Sequence, residues 1–469
     1  MKRSSTSIYS FMKLGVASAV LAVVSACSDS SSDAGSGYIQ LYNAMPTSSN
    51  IVLNIDDESY GDYSYNDAST QYLVDGGDYE LGFDVTISNS SEQTLSEFEY
   101  NITNENISLF VLTGDTDNSE VLKFDYQYED PETDDEQFTF RILNLAQEFT
   151  ELDVYIAEED GSFASAEKLS TTNLFSLTDS FYFDIGEYKF YLTASNSDEV
   201  MFESDNISFS YTNQQLIAIN PNFGAGQSTL RVDTISSSGS VTEHHNKASN
   251  SEVRFYNALI THELFTGYQG LIDVYVDGVD DEPEVSELNQ GDASEFFAIE
   301  YGDYPLDITN QNDEELTNTQ LVSALPNSSV TKFFYITEEE VTDEDDEDTT
   351  TTEIYFNSIE AEASTSVSEL IHNIQILNFS NDYNAIKIYF VASDETKSTT
   401  SNIISGSFSV VSNINLYNDD YDVYVVATEG SSEILLASST IQLDKDSTNY
   451  YLLLEDNNDE QTLNIFAQN

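Results

Sequence analysis

The chain has 469 residues, with 14 Lys+Arg against 85 Asp+Glu, a formal net charge of −71, one Cys, no Trp, 30 Tyr and 27 Phe. This balance excludes a nucleic-acid binder, which needs clustered Lys and Arg against phosphate, and a single Cys excludes a disulfide scaffold or a Cys-based zinc site. A hydrophobic fraction of 39% with 12% aromatics is too rich for wholesale disorder, so about three to four folded domains with acidic surfaces are expected at this length.

The first segment reads as a sorting signal. Lys2, Arg3 and Lys13 mark a basic region, and residues 14–24 (LGVASAVLAVV) form an apolar core. Eleven residues suit a signal peptide and are too short for a membrane span, which needs about 20. Then comes Val24-Ser25-Ala26-Cys27, which resembles the bacterial lipobox: an aliphatic residue, two small ones, then Cys. The resemblance implies diacylglyceryl transfer to the Cys27 thiol, cleavage after residue 26 and further acylation with fatty acids such as palmitate. Cleavage removes three basic and no acidic residues, taking the formal charge from −71 to −74. Ser28 in place of Asp favours the outer membrane over inner-membrane retention. Residues 27–36 form a small-residue, flexible lipidated tether.

Beyond residue 37 the chain repeats itself. One anchor is a strand ending in Asn: 38–43 (YIQLYN), 138–144 (FTFRILN), 252–257 (EVRFYN) and 373–378 (NIQILN). A second strand follows each at 51–55, 152–156, 272–276 and 386–390. A third anchor is Gly-x-Tyr-x-apolar around Tyr79, Tyr188 and Tyr304, with Asp419 replacing the Gly before Tyr421. Successive Asn anchors lie 101, 113 and 121 residues apart, which are domain-sized periods.

Each copy reads as about seven strands, from period-2 alternation and Val, Ile, Tyr, Phe and Thr enrichment. In the first they fall near 38–43, 51–56, 69–74, 78–85, 96–103, 107–113 and 120–126. The fold class is therefore all-β: tandem antiparallel β-sandwiches at 37–128, 138–234, 251–360 and 370–469. The repeated Tyr suggests a tyrosine corner, its hydroxyl bonded to nearby backbone. Three strands follow it where an immunoglobulin-like sandwich has one, and transthyretin-like sandwiches carry a similar Gly-x-Tyr-x-Leu strand, so the topology stays open. Residues 251–258 (SEVRFYNA) and 272–278 (IDVYVDG), with the later Gly-x-Tyr, resemble the bacterial domain of unknown function 4397 family. That resemblance implies a secreted or lipid-anchored protein and supplies no catalytic residues.

Candidate chemistry is thin. His244 and His245 adjoin Glu243 in a Ser-rich stretch read as a linker, and adjacent side chains diverge instead of sharing a metal. His262 and His372 are isolated. No Gly-x-Ser-x-Gly elbow is present, and sequence cannot select a carboxylate pair from 85 acids. No enzyme, cofactor or metal site is expected. An isopeptide crosslink needs a core Lys beside an Asn and an acid. The first domain offers only Lys123, and the fourth offers Lys387, Lys397 and Lys445, so none is expected. The acidic runs at 129–136 and 338–348 read as solvated loops, the second as a hairpin tip, with weak divalent-cation binding as the alternative.

The expected function is a non-enzymatic cell-envelope lipoprotein, anchored by lipid at the outer membrane after passage through the lipoprotein-processing and sorting machinery. Four sandwiches in a row would form an acidic scaffold or display rod joined by polar linkers. The alternative is an adhesion module that binds a polysaccharide or peptide through exposed Tyr and Phe. A coplanar row of exposed Tyr would favour sugar binding, and scattered, edge-buried rings would favour a scaffold.

Overall fold

The computed structural model describes residues 35–469 apart from 89–90, 130–135, 227, 277–281, 318–319, 344–345 and 458–459. The first domain has eight strands: β1 (Ser36–Asn43), β2 (Ile51–Ile55), β3 (Glu58–Tyr63), β4 (Tyr72–Asp75), β5 (Gly77–Ser88), β6 (Ser91–Ile102), β7 (Asn106–Thr113) and β8 (Glu120–Gln127). They form two sheets in the orders β4-β1-β7-β8 and β3-β2-β5-β6. All pairs are antiparallel except β1 and β7, which run parallel from Tyr38↔Ile107 to Asn43↔Leu112. The other domains repeat this plan, each with its first strand parallel to the one in the place of the seventh: Gln137–Asn144 with Gln214–Pro221, Ser251–Asn257 with Ser329–Asp343, and Ile371–Asn378 with Tyr450–Asn457. In the second domain two short strands, Val200–Glu203 and Ile207–Phe209, share the place of the sixth. The order differs from the ABED/CFG sheets of immunoglobulin sandwiches and is the transthyretin-like arrangement.

Eight strands replace the expected seven because β3 (ESYGDY) hides in the sequence. It is a sheet edge with polar, largely exposed side chains and a register shift against β2, so it lacks the alternation that marks a half-buried strand. The second domain also continues past residue 234. Val241–His244, expected to lie in a linker, pairs with Leu230–Ser236 and extends the sheet. Of the acidic run at 338–348, residues 338–343 and 346–348 belong to the two paired strands of a hairpin and not to a loop, the pairing running from Val330↔Glu362 out to Asp343↔Asp346; residues 344–345 lie outside the described residues.

The repeated Asn is a strand terminator. Asn43, Asn144, Asn257 and Asn378 are all fully buried. Each accepts, through Oδ1, a hydrogen bond from the backbone N–H two residues on: Met45, Ala146, Leu259 and Ser380. Each donates Nδ2 to carbonyls of neighbouring loops or strands, such as Tyr63 and Leu288. The side chain mimics a backbone turn and satisfies groups a buried bend would orphan.

The repeated Tyr is a corner. Tyr79, Tyr188, Tyr304 and Tyr421 each donate a hydroxyl hydrogen bond to the carbonyl four residues earlier, on Asp75, Asp184, Glu300 and Tyr417, at 2.8–3.0 Å. The bond ties the fifth strand to the end of the fourth, which lies in the other sheet. The sandwich is thereby stapled across its two layers.

Strands one and seven carry apolar side chains on both faces. From β7, Phe110 and Leu112 enter the first domain's own core, while Leu109 and Val111 enter a second cluster with Tyr42 of β1 and Leu143, Leu216, Ala218 and Ile235 of the second domain. The third and fourth domains meet likewise through Tyr256, Phe333, Tyr335, Leu377, Phe379, Tyr451 and Leu453. Domains 1 and 2, and domains 3 and 4, therefore pack sheet on sheet as two four-layer blocks. Further contacts join the blocks. Asn222 of domain 2 exchanges amide hydrogen bonds with Asn327 of domain 3 at 2.6 and 3.1 Å. At the start of domain 4, Glu369 N–H reaches the Thr47 carbonyl of domain 1 at 2.9 Å, and Leu370 packs on the domain 1 core. The contacts close a circuit of four domains, not the open row with polar linkers that the repeats suggest.

Tyr188 packs on Phe138, Phe183 and Phe209. Tyr188→Ala is expected to cost about 3–5 kcal/mol and Tyr188→Phe about 1 kcal/mol, measured by urea denaturation. Because domain 2 shares a buried face with domain 1, hydrogen exchange should show β7 losing protection together with the domain 2 strands.

Candidate functional site at the domain junction

In domains 1 and 3 the residue before the repeated Asn is Tyr42 or Tyr256; in domains 2 and 4 it is Leu143 or Leu377. Alternation aims this side chain away from its own core and into the seam. A buried tyrosine hydroxyl needs a partner there, and in both seams it meets a carboxylate of the next domain.

In the first seam the Tyr42 hydroxyl lies 2.6 Å from Asn66 Oδ1 and 2.9 Å from Asp233 Oδ2, and accepts from Asn220 Nδ2 at 2.7 Å. Asp233 is fully buried and paired with Arg231: Nη2 donates to Oδ2 at 2.9 Å, and Nε lies 2.9 Å from Oδ1 as an ion contact without hydrogen-bond alignment. Arg231 Nη1 also reaches Glu243 at 3.3 Å, and Asn66 donates to Glu243 at 2.6 Å. Burial works against the Arg231 charge, but Asp233, the neighbouring tyrosines and Glu243 together hold its pKa above the ordinary range. Removing one partner of such a pair would leave an uncompensated buried charge.

The second seam lacks that cation. Tyr256 donates to Glu455 Oε2 at 2.9 Å and accepts from Asn464 at 2.7 Å. Arg254 lies nearby, but its guanidinium is engaged by the Ala467 and Gln468 carbonyls at 2.7 and 3.0 Å and by Thr331. Burial therefore pushes the Glu455 carboxyl up to about 7, with the Tyr256 and Asn464 hydrogen bonds opposing it. Tyr268 and Asp292 are the other titratable groups coupled to this pair. The folded pKa exceeds the ordinary 4.5, so the folded state holds the proton more tightly. Stability from this group falls as pH rises from about 4.5 to about 7 and stays low above that, by about 3 kcal/mol in total. Glu455→Gln should remove that slope, raising the melting temperature at pH 8 and leaving it nearly unchanged at pH 5 in a calorimetric scan.

Against the first network lie two clefts of about 170 and 300 Å³. Tyr65, Arg231, Glu243 and Thr365 line both. The walls come from all four domains: Asn50 and Asn66 of the first, Asn222 and Phe223 of the second, Asn327 of the third and Asn415 of the fourth. Tyr65 stands edge-on to Phe223 with centroids 6.1 Å apart, under the Arg231 guanidinium at 5.6 Å. Burial lifts the Tyr65 hydroxyl to about 12. A larger hollow of about 620 Å³ at the end of domain 2 is lined by Glu158, Asp160, Glu167 and Asp184, and lies wholly within that domain.

The residues singled out from sequence do not converge. Cys27 lies outside the described residues. His244 pairs with Thr234 and is lowered to about 4 by burial, while His245 faces Asn327. His262 accepts from the Leu264 N–H, and His372 is buried against Asn418. Among the described residues no group of three or more metal-capable side chains gathers. Lys387 and Lys397 both reach Glu433, at 3.4 and 2.6 Å, and Lys123 lies over the Phe98 ring. The large exposed tyrosines are Tyr182, Tyr211, Tyr301 and Tyr355. They belong to two domains and to separate strands and turns, so they form no single row. Sequence reasoning missed the junction, since its residues span positions 48–415. The signal it could have used is the placement of arginine: beyond residue 27 the chain has three. Arg231 and Arg254 lie in the two seams, and Arg141 pairs with Glu129 and stacks on Tyr126 of domain 1.

No family model matches this chain, and no curated protein does. Among solved structures it is similar to the Bacillus anthracis TIE protein, at 10% identity over 90% of this chain and 68% of that one, with a TM-score of 0.16. It is similar to a family 41 carbohydrate-binding module, described as recognising alpha-glucan in streptococcal virulence factors, at 12% identity over 44% and 94%, TM-score 0.15. It is also similar to BcpA, the major pilin subunit of Bacillus cereus, at 10% identity over 68% and 99%, TM-score 0.15. At these scores none of the three bears on function.

Proposed function

We propose that the protein is a non-enzymatic cell-envelope lipoprotein, an acidic multidomain β-sandwich scaffold held at the outer membrane by lipid on Cys27. The observation that supports this most is the work done by the repeated side chains. All four Asn anchors terminate strands, and all four tyrosines staple the two layers of a sandwich. What the repeats preserve is therefore architecture. The scattered exposed tyrosines favour a scaffold over an adhesion module that stacks sugars on a sheet face. The resemblance of the strand motifs to those of the domain of unknown function 4397 family agrees with a secreted or lipid-anchored setting. No helix among the described residues is long and apolar enough to cross a membrane, so attachment is assigned to the lipobox-like segment. Its partners would then be the lipoprotein-processing and sorting machinery and the membrane itself.

Cys27→Ser is expected to move the protein from the membrane fraction to the soluble envelope fraction and to abolish labelling by a palmitate analogue. Labelling that survives the substitution would refute the anchor.

A further inference from the structure

We propose that the clefts at the four-domain junction bind an uncharged saccharide unit, with Phe223 and Tyr65 as the ring platform and the surrounding amides and hydroxyls as its hydroxyl partners. The inference stands apart from the lipid anchor and does not depend on it.

The ligand class follows by elimination. The chain is intensely acidic, yet the larger cleft has one carboxylate in its lining, Glu243, and the smaller adds only Glu362. The one cation in either lining is Arg231, already paired with Asp233 and Glu243, so an anion gains no free positive charge. Two carboxylates, one of them engaged by Arg231 and Asn66, are a poor cage for a hard cation, which takes six or more oxygens. A peptide would want apolar side-chain pockets, whereas ten of the thirteen residues lining the larger cleft carry an amide or hydroxyl, and the smaller offers Phe223 and Pro326 beside Asn222, Asn327, Thr365 and the neutral His245. An uncharged, hydroxyl-rich ligand fits what remains. Its C–H faces can lie on the exposed Phe223 ring, and its hydroxyls can both donate and accept.

The polar groups are positioned in advance. Asn50 and Asn415 accept through Oδ1 from Ser64 and Asn373, each at 2.9 Å, which turns each amide nitrogen away from that partner. Their Nδ2 groups, and the Thr365 hydroxyl, meet no protein acceptor among the described residues. Asn222 and Asn327 lock each other across the domain boundary. Small-ligand sites occupy about 300–1,000 Å³, often at domain interfaces, and clefts of about 170 and 300 Å³ sharing four residues suit one or two sugar rings. Because the walls come from four domains, a bound saccharide would also bridge them and stabilise the closed circuit by mass action.

The test is saturation-transfer NMR and calorimetric titration of the full mature chain with glucose, galactose, maltotriose, cellotriose and the trimer of N-acetylglucosamine. A trigalacturonate and a Lys-rich decapeptide serve as charged comparators. At least one neutral saccharide should bind, and trigalacturonate should bind at least about tenfold more weakly. Phe223→Ala and Thr365→Ala should each weaken binding by about tenfold or more with an unchanged melting temperature in the absence of sugar. Failure of all five sugars to bind at about 10 mM, near the weak end of the measurable range, would overturn the proposal. So would saccharide binding that both variants leave intact, or tighter binding of the peptide than of any sugar.

Discussion

In each domain the strand that ends in the buried Asn runs parallel to the seventh strand, and both are shut off from water on two sides. One side faces the domain's own core and the other faces a second domain. A sheet covered on both faces reads as a nearly continuous apolar run instead of a clean alternation. That is how residues 109–112 (LFVL), 216–219 (LIAI), 333–336 (FFYI) and 451–454 (YLLL) look. Such a sheet cannot stand alone, because a separated domain would expose a whole apolar face. The block of two domains is accordingly the smallest unit whose apolar faces are all covered.

Charge placement follows from the same constraint. With 85 acids against 14 basic residues, most carboxylates must lie where water can solvate them. The few that enter a seam need a specific answer. Asp233 is answered by Arg231, whose guanidinium stays charged and donates to it directly. Glu455 is answered by a proton. The two seams repeat one device, a tyrosine hydroxyl on the next domain's carboxylate, and differ in what neutralises it. Burial raises the pKa of both acids, with Arg231 opposing the rise at Asp233 and no cation doing so at Glu455, and the second seam is expected to weaken as pH rises towards and past about 7.

Much of the single-domain plan is visible in the sequence. The Asn and Tyr anchors recur at domain-sized spacing because each does a local job: closing a turn two residues on, or reaching a carbonyl four residues back. Local jobs leave local signatures. The edge strand at Glu58–Tyr63 leaves little, since exposed Glu58, Ser59 and Asp62 surround Gly61 and a register shift, with only Tyr60 and Tyr63 against the core. Val241–His244 was obscured by the serines around it. The pairing of domains leaves no local trace: Tyr42 and Tyr256 belong to alternating strands like any other, yet both are buried and bonded to carboxylates some 190–200 residues away. The junction clefts were beyond reach, because no sequence window holds Asn50, Phe223, Asn327 and Asn415 together.

The central claim is that the domains close on one another through shared apolar sheets. Small-angle X-ray scattering of the soluble Cys27→Ser chain tests it most directly. A closed circuit should give a radius of gyration near the roughly 22 Å of a single compact body of this length, unchanged between low and high salt. A value of about twice that, shrinking as salt screens the −71 charge, would mean an extended row of independent sandwiches and would contradict the account.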